Sequence, residues 1–136
     1  MIKADILCQA QFYDLDPMHV VWHGNYAKFF ELARCALLEK IGYSYTDMAA
    51  SGHVWPVVEL SVKYIGPIVL AQNIRVEASL AEYENRLRIT YKIFDVQTGK
   101  TLTKGQTTQL AVKADSKELC FESPTDLIHR VKALLP

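Results

Sequence analysis

What this chain lacks narrows its chemistry before any motif is considered. It has no excess of either charge, since fifteen Lys and Arg balance fifteen Asp and Glu. The charges are also scattered, so the basic footprint of a nucleic-acid or anionic-membrane binder is missing, and a small or neutral-surfaced partner is expected. It has no paired cysteines: Cys8, Cys35 and Cys120 are odd in number, far apart and set in apolar patterns. They read as free buried thiols in a reducing compartment, not as a disulfide framework or a zinc site. No apolar run approaches the ~20 residues that span a bilayer, and the opening MIKADILCQAQ has no signal-peptide core. A soluble, cytoplasmic protein is the expectation. Repeats, low-complexity tracts and linkers are absent too. The 136 residues are one domain's worth, so a single domain over 1–136 is expected, burying roughly two-thirds of its unfolded surface. Finally, there is no G-x-S-x-G in the chain, so any acyl transfer is expected to use another nucleophile or base.

What is there begins with periodicity. Ile6, Cys8, Ala10 and Phe12 alternate with Asp5, Leu7, Gln9 and Gln11, predicting a first strand that runs to about Tyr13. After DLDP, the residues Tyr26, Phe29, Phe30, Ala33, Leu37 and Ile41 form an apolar stripe at helical spacing, widened by Leu32, Ala36 and Leu38, with Gly42 placed to end the helix. Period two then returns over 54–65, 73–83, 86–95 and 101–114, with turn signals at Gly66-Pro67, Glu84-Asn85 and Thr98-Gly99. Short links favour antiparallel hairpins. Ser123-Pro124-Thr125-Asp126 reads as the N-cap of a short terminal helix. The economical solution is an α+β fold in which a curved antiparallel sheet wraps one long central helix. Val57, Ile65, Phe94 and Ala111 alternate onto the opposite side, which predicts self-association.

The chemistry concentrates in YDLDPMHVVWHGNYAKFFE, residues 13–31. Asp14 and Asp16 would share one side of an extended chain, with Pro17 holding Asp16 out of the helical region. Met18, Val20, Val21 and Trp22 would surround the carboxylate with apolar groups. His19 and His23 are four apart, a metal-ligand spacing only on a helix, and Val20-Val21-Trp22 after Asp-Pro argues against one; no metal and no cofactor is expected. His53 and His129 read as ordinary surface or packing residues. Asn25 or Gly24 is placed to start the long helix, whose first N–H groups have no internal partners. A carboxylate beside such a helix start can supply a base or nucleophile facing an oxyanion site.

The segment YDLDPMHVVWHGNYAKFFELAR resembles the 4-hydroxybenzoyl-CoA thioesterase-like branch of the hotdog-fold thioesterases, and WPVVELSVKYIGPI is similar to that family's strand after the helix. The resemblance implies an acyl-CoA thioesterase, with an acyl carrier protein thioesterase as the nearest alternative and a noncatalytic acyl-binding module behind it. A dehydratase would require a separate histidine and helix-borne acid, for which Glu31 alone is insufficient. By resemblance, the catalytic carboxylate maps onto Asp16, and the oxyanion N–H onto His23 or Gly24. Tyr26 maps onto the tyrosine that closes the motif. The family's two-subunit site implies a homodimer, assembling further to a homotetramer, in which Val58 and Glu59 approach the partner's Asp16 loop. Lys63, Arg86 and Arg88 are placed to meet coenzyme A phosphates. The chain departs from the family pattern at Met18 and His19, where many members carry small residues.

Overall fold

A computed structural model describes residues 1–136. Its frame is a five-stranded antiparallel sheet with one long helix packed against it. β1 (Lys3–Gln9), β4 (Asn73–Glu82), β5 (Leu87–Asp95), β6 (Thr101–Gln109) and β3 (Val57–Tyr64) lie side by side in that order. No helix is long and apolar enough to cross a membrane.

α1 (Tyr26–Ile41) forms because its apolar positions recur on one arc, and Tyr26, Phe29, Phe30, Ala33, Leu37, Leu38 and Ile41 are buried against the sheet. Gly42 ends it at φ 84°, donating to the Leu38 and Glu39 carbonyls while Tyr43 N–H reaches back to Leu38. The helix sits close because β6 carries a glycine at the contact. A Cβ on Gly105 would stand 2.5 Å from the Phe30 ring, and Phe30 stacks on Tyr91 at 4.4 Å between centroids. The covered arc is narrower than the sequence suggests: Leu32 is 47% exposed, because it faces away from the sheet. The arc also contains a charge. Arg34 is buried, donating from Nε to Tyr45 Oη at 2.7 Å and from Nη1 to Tyr91 Oη at 3.4 Å. Burial opposes its charge, but the Tyr91 and Tyr45 oxygens outweigh that and raise its pKa.

Several boundaries differ from the sequence expectation. β1 stops at Gln9 because a 3-10 turn follows at Phe12–Asp14, and Phe12 is exposed. The span 54–65 divides into β2 (His53–Val54) and β3, and 101–114 into β6 and β7 (Val112–Lys113), with β2 and β7 paired as a separate ribbon. Ala111 is therefore buried, not on the outer side, while Val57 and Ile65 are exposed and Phe94 is half-buried under Arg75. A short helix, α2 (Tyr45–Ala50), also appears. Its signal was present as SYTD, since Ser44 and Asp47 form a reciprocal capping box. α3 (Thr125–Lys132) begins one residue late: Pro124 occupies the cap position, and Ser123 instead donates its N–H to the Glu84 carbonyl.

The most consequential difference concerns β3. It pairs with β6, not with its chain neighbour β4, so Gly66-Pro67 opens a crossing link over 65–72 in place of a hairpin turn. That link is tied to the Asp16 segment by a Val20–Val69 bridge and by Val21 N–H donating to Ile68 O at 2.8 Å. Residues some fifty apart in sequence thus form one wall.

Candidate active site

Asp16 sits in a miniature hairpin, not on an extended strand. Leu15 and Val21 bridge, Asp16 N–H donates to Val20 O at 2.9 Å, and His19 N–H donates to Asp16 O at 2.9 Å. Pro17 supplies a preset φ for the turn, and His19 takes the left-handed conformation at φ 65° that closes such three-residue loops. The Asp16 side chain folds over its own turn, Oδ1 accepting Met18 N–H at 2.8 Å. The pair that looked anomalous in sequence, Met18-His19, is thus the corner of the turn that presents Asp16.

Asp14 has a different environment. It is buried in the 3-10 turn, Oδ2 accepting Gln11 N–H at 2.9 Å and Oδ1 accepting the Lys28 ammonium. Its carbonyl accepts Trp22 N–H at 2.9 Å and Asn25 Nδ2 at 2.8 Å. The two acids therefore do not share a side: one fastens the loop to α1, and the other remains half-exposed.

The start of α1 is built on a 3-10 turn, His23–Asn25. Asn25 occupies the cap position, yet its side chain is committed to Asp14 and caps nothing. Trp22 and Asn25 N–H are bonded, to Asp14 O and Trp22 O. The His23 and Gly24 N–H groups between them have no acceptor within the protein. Gly24 is required by its neighbour, because a Cβ there would lie 2.3 Å from the Trp22 ring. Tyr64 Oη donates to His23 O at 2.8 Å, and its ring meets Tyr26 edge-on at 4.8 Å. The Tyr26 phenol is buried, and its pKa is raised first by that burial, then by Tyr64 and Asp16.

These groups open onto one pocket of about 290 Å³, lined by Asp16, Met18, Val20, Val21, His23, Tyr26, Tyr64, Ile65, Gly66 and Pro67. Of the residues singled out from sequence, the structure brings together Asp16, His23 and Tyr26, with Gly24 adjoining. Val58 and Glu59 lie on edge strand β3, exposed, with Glu59 accepting Gln106 Nε2 at 3.4 Å; they do not line this pocket within one chain. Lys63 is exposed on β3 opposite Lys104. Arg86 pairs with Glu82 at 2.8 Å, and Arg88 is half-buried opposite Glu82 in the β4–β5 ladder. Tyr64 and the 65–67 wall went unnoticed in sequence, where they read as a strand end and a turn. No three histidine, cysteine or carboxylate side chains gather as a metal-ligand set.

A carboxylate with one committed oxygen and a pair of free N–H donors bordering one pocket can serve attack on a carbonyl and stabilisation of the resulting oxyanion. Comparison with known proteins agrees with that chemistry. A Synechocystis protein whose esterase assignment is provisional is 31% identical over 109 residues, covering 79% of this chain and 66% of its own length. A Bacillus subtilis protein provisionally named an acyl-CoA thioesterase is 25% identical over 84% of this chain and 76% of its own. The solved DHNA-CoA thioesterase from Staphylococcus aureus superposes with a TM-score of 0.85 at 31% identity, over 98% of this chain and 93% of that one. Residues 10–131, which include the Asp16 hairpin, the start of α1 and every strand of the sheet but β1, match the thioesterase-like superfamily; the chain belongs to that family and has its hotdog fold.

Proposed function

We propose that the protein hydrolyses an acyl- or aroyl-CoA thioester to the free acid and coenzyme A, with residues 1–136 acting as one thioesterase domain. The observation that carries this reading is the shared pocket of Asp16 and the uncapped start of α1. Asp16 adds oxygen to the thioester carbonyl, by direct attack or by deprotonating water. Both routes pass through an oxyanion, which accepts a hydrogen bond from the N–H of His23 or Gly24. Collapse breaks the C–S bond, and the thiolate takes a proton, from Asp16 where Asp16 has deprotonated the water; on the direct route water then hydrolyses the Asp16 anhydride, which releases the acid and restores the carboxylate. Val20, Val21 and Tyr26 supply the apolar wall for the acyl group.

The site is completed by a second copy of the chain. β3 is an edge strand whose Val57, Val58 and Leu60 are 45%, 54% and 46% exposed, an edge that calls for a partner. Pairing through β3 makes a homodimer, with a homotetramer as its further assembly, and brings Val58 and Glu59 to the partner's site. Lys63, Arg86 and Arg88 are the cations offered to coenzyme A phosphates, in a cytoplasmic enzyme with neither metal nor cofactor. A hydrolysis panel of coenzyme A and carrier-protein thioesters tests the reading, alongside sedimentation for the assembly. Turnover of coenzyme A thioesters that is lost in Asp16→Asn supports it; an Asp16→Asn variant of full activity would sink it.

A further inference from the structure

The two peptide units that carry the free donors are each held by their carbonyl ends. In a trans peptide the C=O and N–H point in opposite directions, so fixing one aims the other. The Trp22 carbonyl accepts Asn25 N–H at 2.9 Å, which sets the plane that carries His23 N–H. The His23 carbonyl accepts the Tyr64 hydroxyl at 2.8 Å, which sets the plane that carries Gly24 N–H. The first restraint is local to the turn, whereas the second comes from the last residue of β3, forty-one positions away.

We infer that Tyr64 is a positioning residue for the oxyanion site: its hydroxyl locks the His23 carbonyl and so aims the Gly24 N–H at the start of α1. This rests on the reading of that pocket as a thioester hydrolase site. Two physical effects follow from the one bond. It holds the donor plane in place before substrate arrives, so no reorganisation is required as charge develops. It also keeps the His23 carbonyl oxygen engaged. That partial negative charge stays pointed away from the side of the peptide that carries Gly24 N–H, as the trans geometry requires. The ring is held independently, edge-on to the buried Tyr26 at 4.8 Å, so the hydroxyl can be removed without removing the contact.

Tyr64→Phe tests this. The wild-type protein is first assayed on benzoyl-CoA and hexanoyl-CoA, and the faster substrate is carried forward with Asp16→Asn as a control. Tyr64→Phe is expected to lower kcat about 10-fold, less than the ~10²-fold or greater loss from deleting an oxyanion donor outright. KM should change less than about twofold, with the unfolding midpoint and the shape of the kcat–pH profile retained, because positioning adds no titrating group. The Gly24 amide proton, followed by NMR in the free protein, should shift upfield as its peptide loses polarisation from the Tyr64 bond. If Asp16→Asn is inactive while Tyr64→Phe keeps wild-type kcat, the Tyr64 role is overturned and the hydrolase reading stands. If the alkaline limb of the pH profile disappears in Tyr64→Phe, the phenol acts as an acid and the positioning role is likewise overturned. If the wild type hydrolyses neither substrate, the hydrolase reading is in trouble on its own account, and an unmoved Gly24 amide then overturns the Tyr64 bond independently.

Discussion

Two helices in this molecule begin within twenty residues of each other in sequence, and they begin in opposite ways. α2 starts with Ser44 and Asp47 exchanging bonds, Ser44 Oγ accepting Asp47 N–H at 3.3 Å and Asp47 Oδ2 accepting Ser44 N–H at 3.0 Å. α1 has a residue equally capable of capping, Asn25, but spends its side chain on the Asp14 carbonyl and leaves His23 and Gly24 N–H free. α1 can go without a cap because seven apolar side chains, from Tyr26 to Ile41, hold it against the sheet, whereas six-residue α2 has only Met48 fully buried. A long, packed helix can leave its first donors available for chemistry; a short one needs them satisfied.

If that division is right, substitutions at the two starts should separate turnover from stability. The largest loss belongs to Asp16→Asn, with kcat reduced about 10²- to 10⁴-fold and a thermal midpoint unchanged by scanning calorimetry. Next, Gly24→Ala drives the Trp22 indole off the backbone; a displacement near 1 Å costs about 10²-fold in turnover, with most stability retained in urea melts. Asp14→Ala should show the reverse pattern. The variant loses about 2–3 kcal/mol in urea unfolding, below the 3–5 of a fully buried pair because Lys28 is 44% exposed and solvent screens its half of the interaction.

At α2, Ser44→Ala should cost about 1 kcal/mol and leave kcat at the wild-type value. Its pH dependence has a defined sign. The Ser44 N–H and hydroxyl hold the Asp47 carboxyl below its ordinary value, so the bond stabilises above the unfolded pKa and is lost as pH falls through the folded one. The difference between wild type and Ser44→Ala should therefore narrow below about pH 3.9, as urea melts at neutral and acid pH would show. The smallest effect is expected from His23→Ala, a kcat change of about threefold or less if only the backbone N–H acts. A loss as large as that of Asp16→Asn would show that the imidazole itself takes part.

Local signals made much of the fold and site legible in sequence. α1, its stop at Gly42 and the strand content all rest on periods of 3.6 or 2 and on residues with restricted φ, so the chain displays them over short windows. The DLDP…HGNY segment is similarly compact, and it pointed to Asp16 and the helix start together. What was hidden depends on distance in sequence. Nothing local says that β3 pairs with β6, that Tyr64 reaches His23, or that Val69 bridges Val20. Asp14 and Asp16 also look alike in sequence, and tertiary placement separates the buried acid, which meets Lys28, from the half-exposed one. The α2 start is a different case: SYTD is a local capping signal, but the six residues of the helix it opens are too few to display a helical period.

The hairpin that carries Asp16 has a consequence for how the shape of its pocket is able to change. Every bond that shapes the turn is made by backbone or by Asp16 itself. The Met18 side chain makes none of them, is 75% exposed, and stands at the edge of the pocket. Position 18 is therefore adjustable without moving the carboxylate. A lineage, or a designer working with a small library at that one codon, is able to reshape the pocket rim while the Asp16 carboxylate stays where the turn puts it.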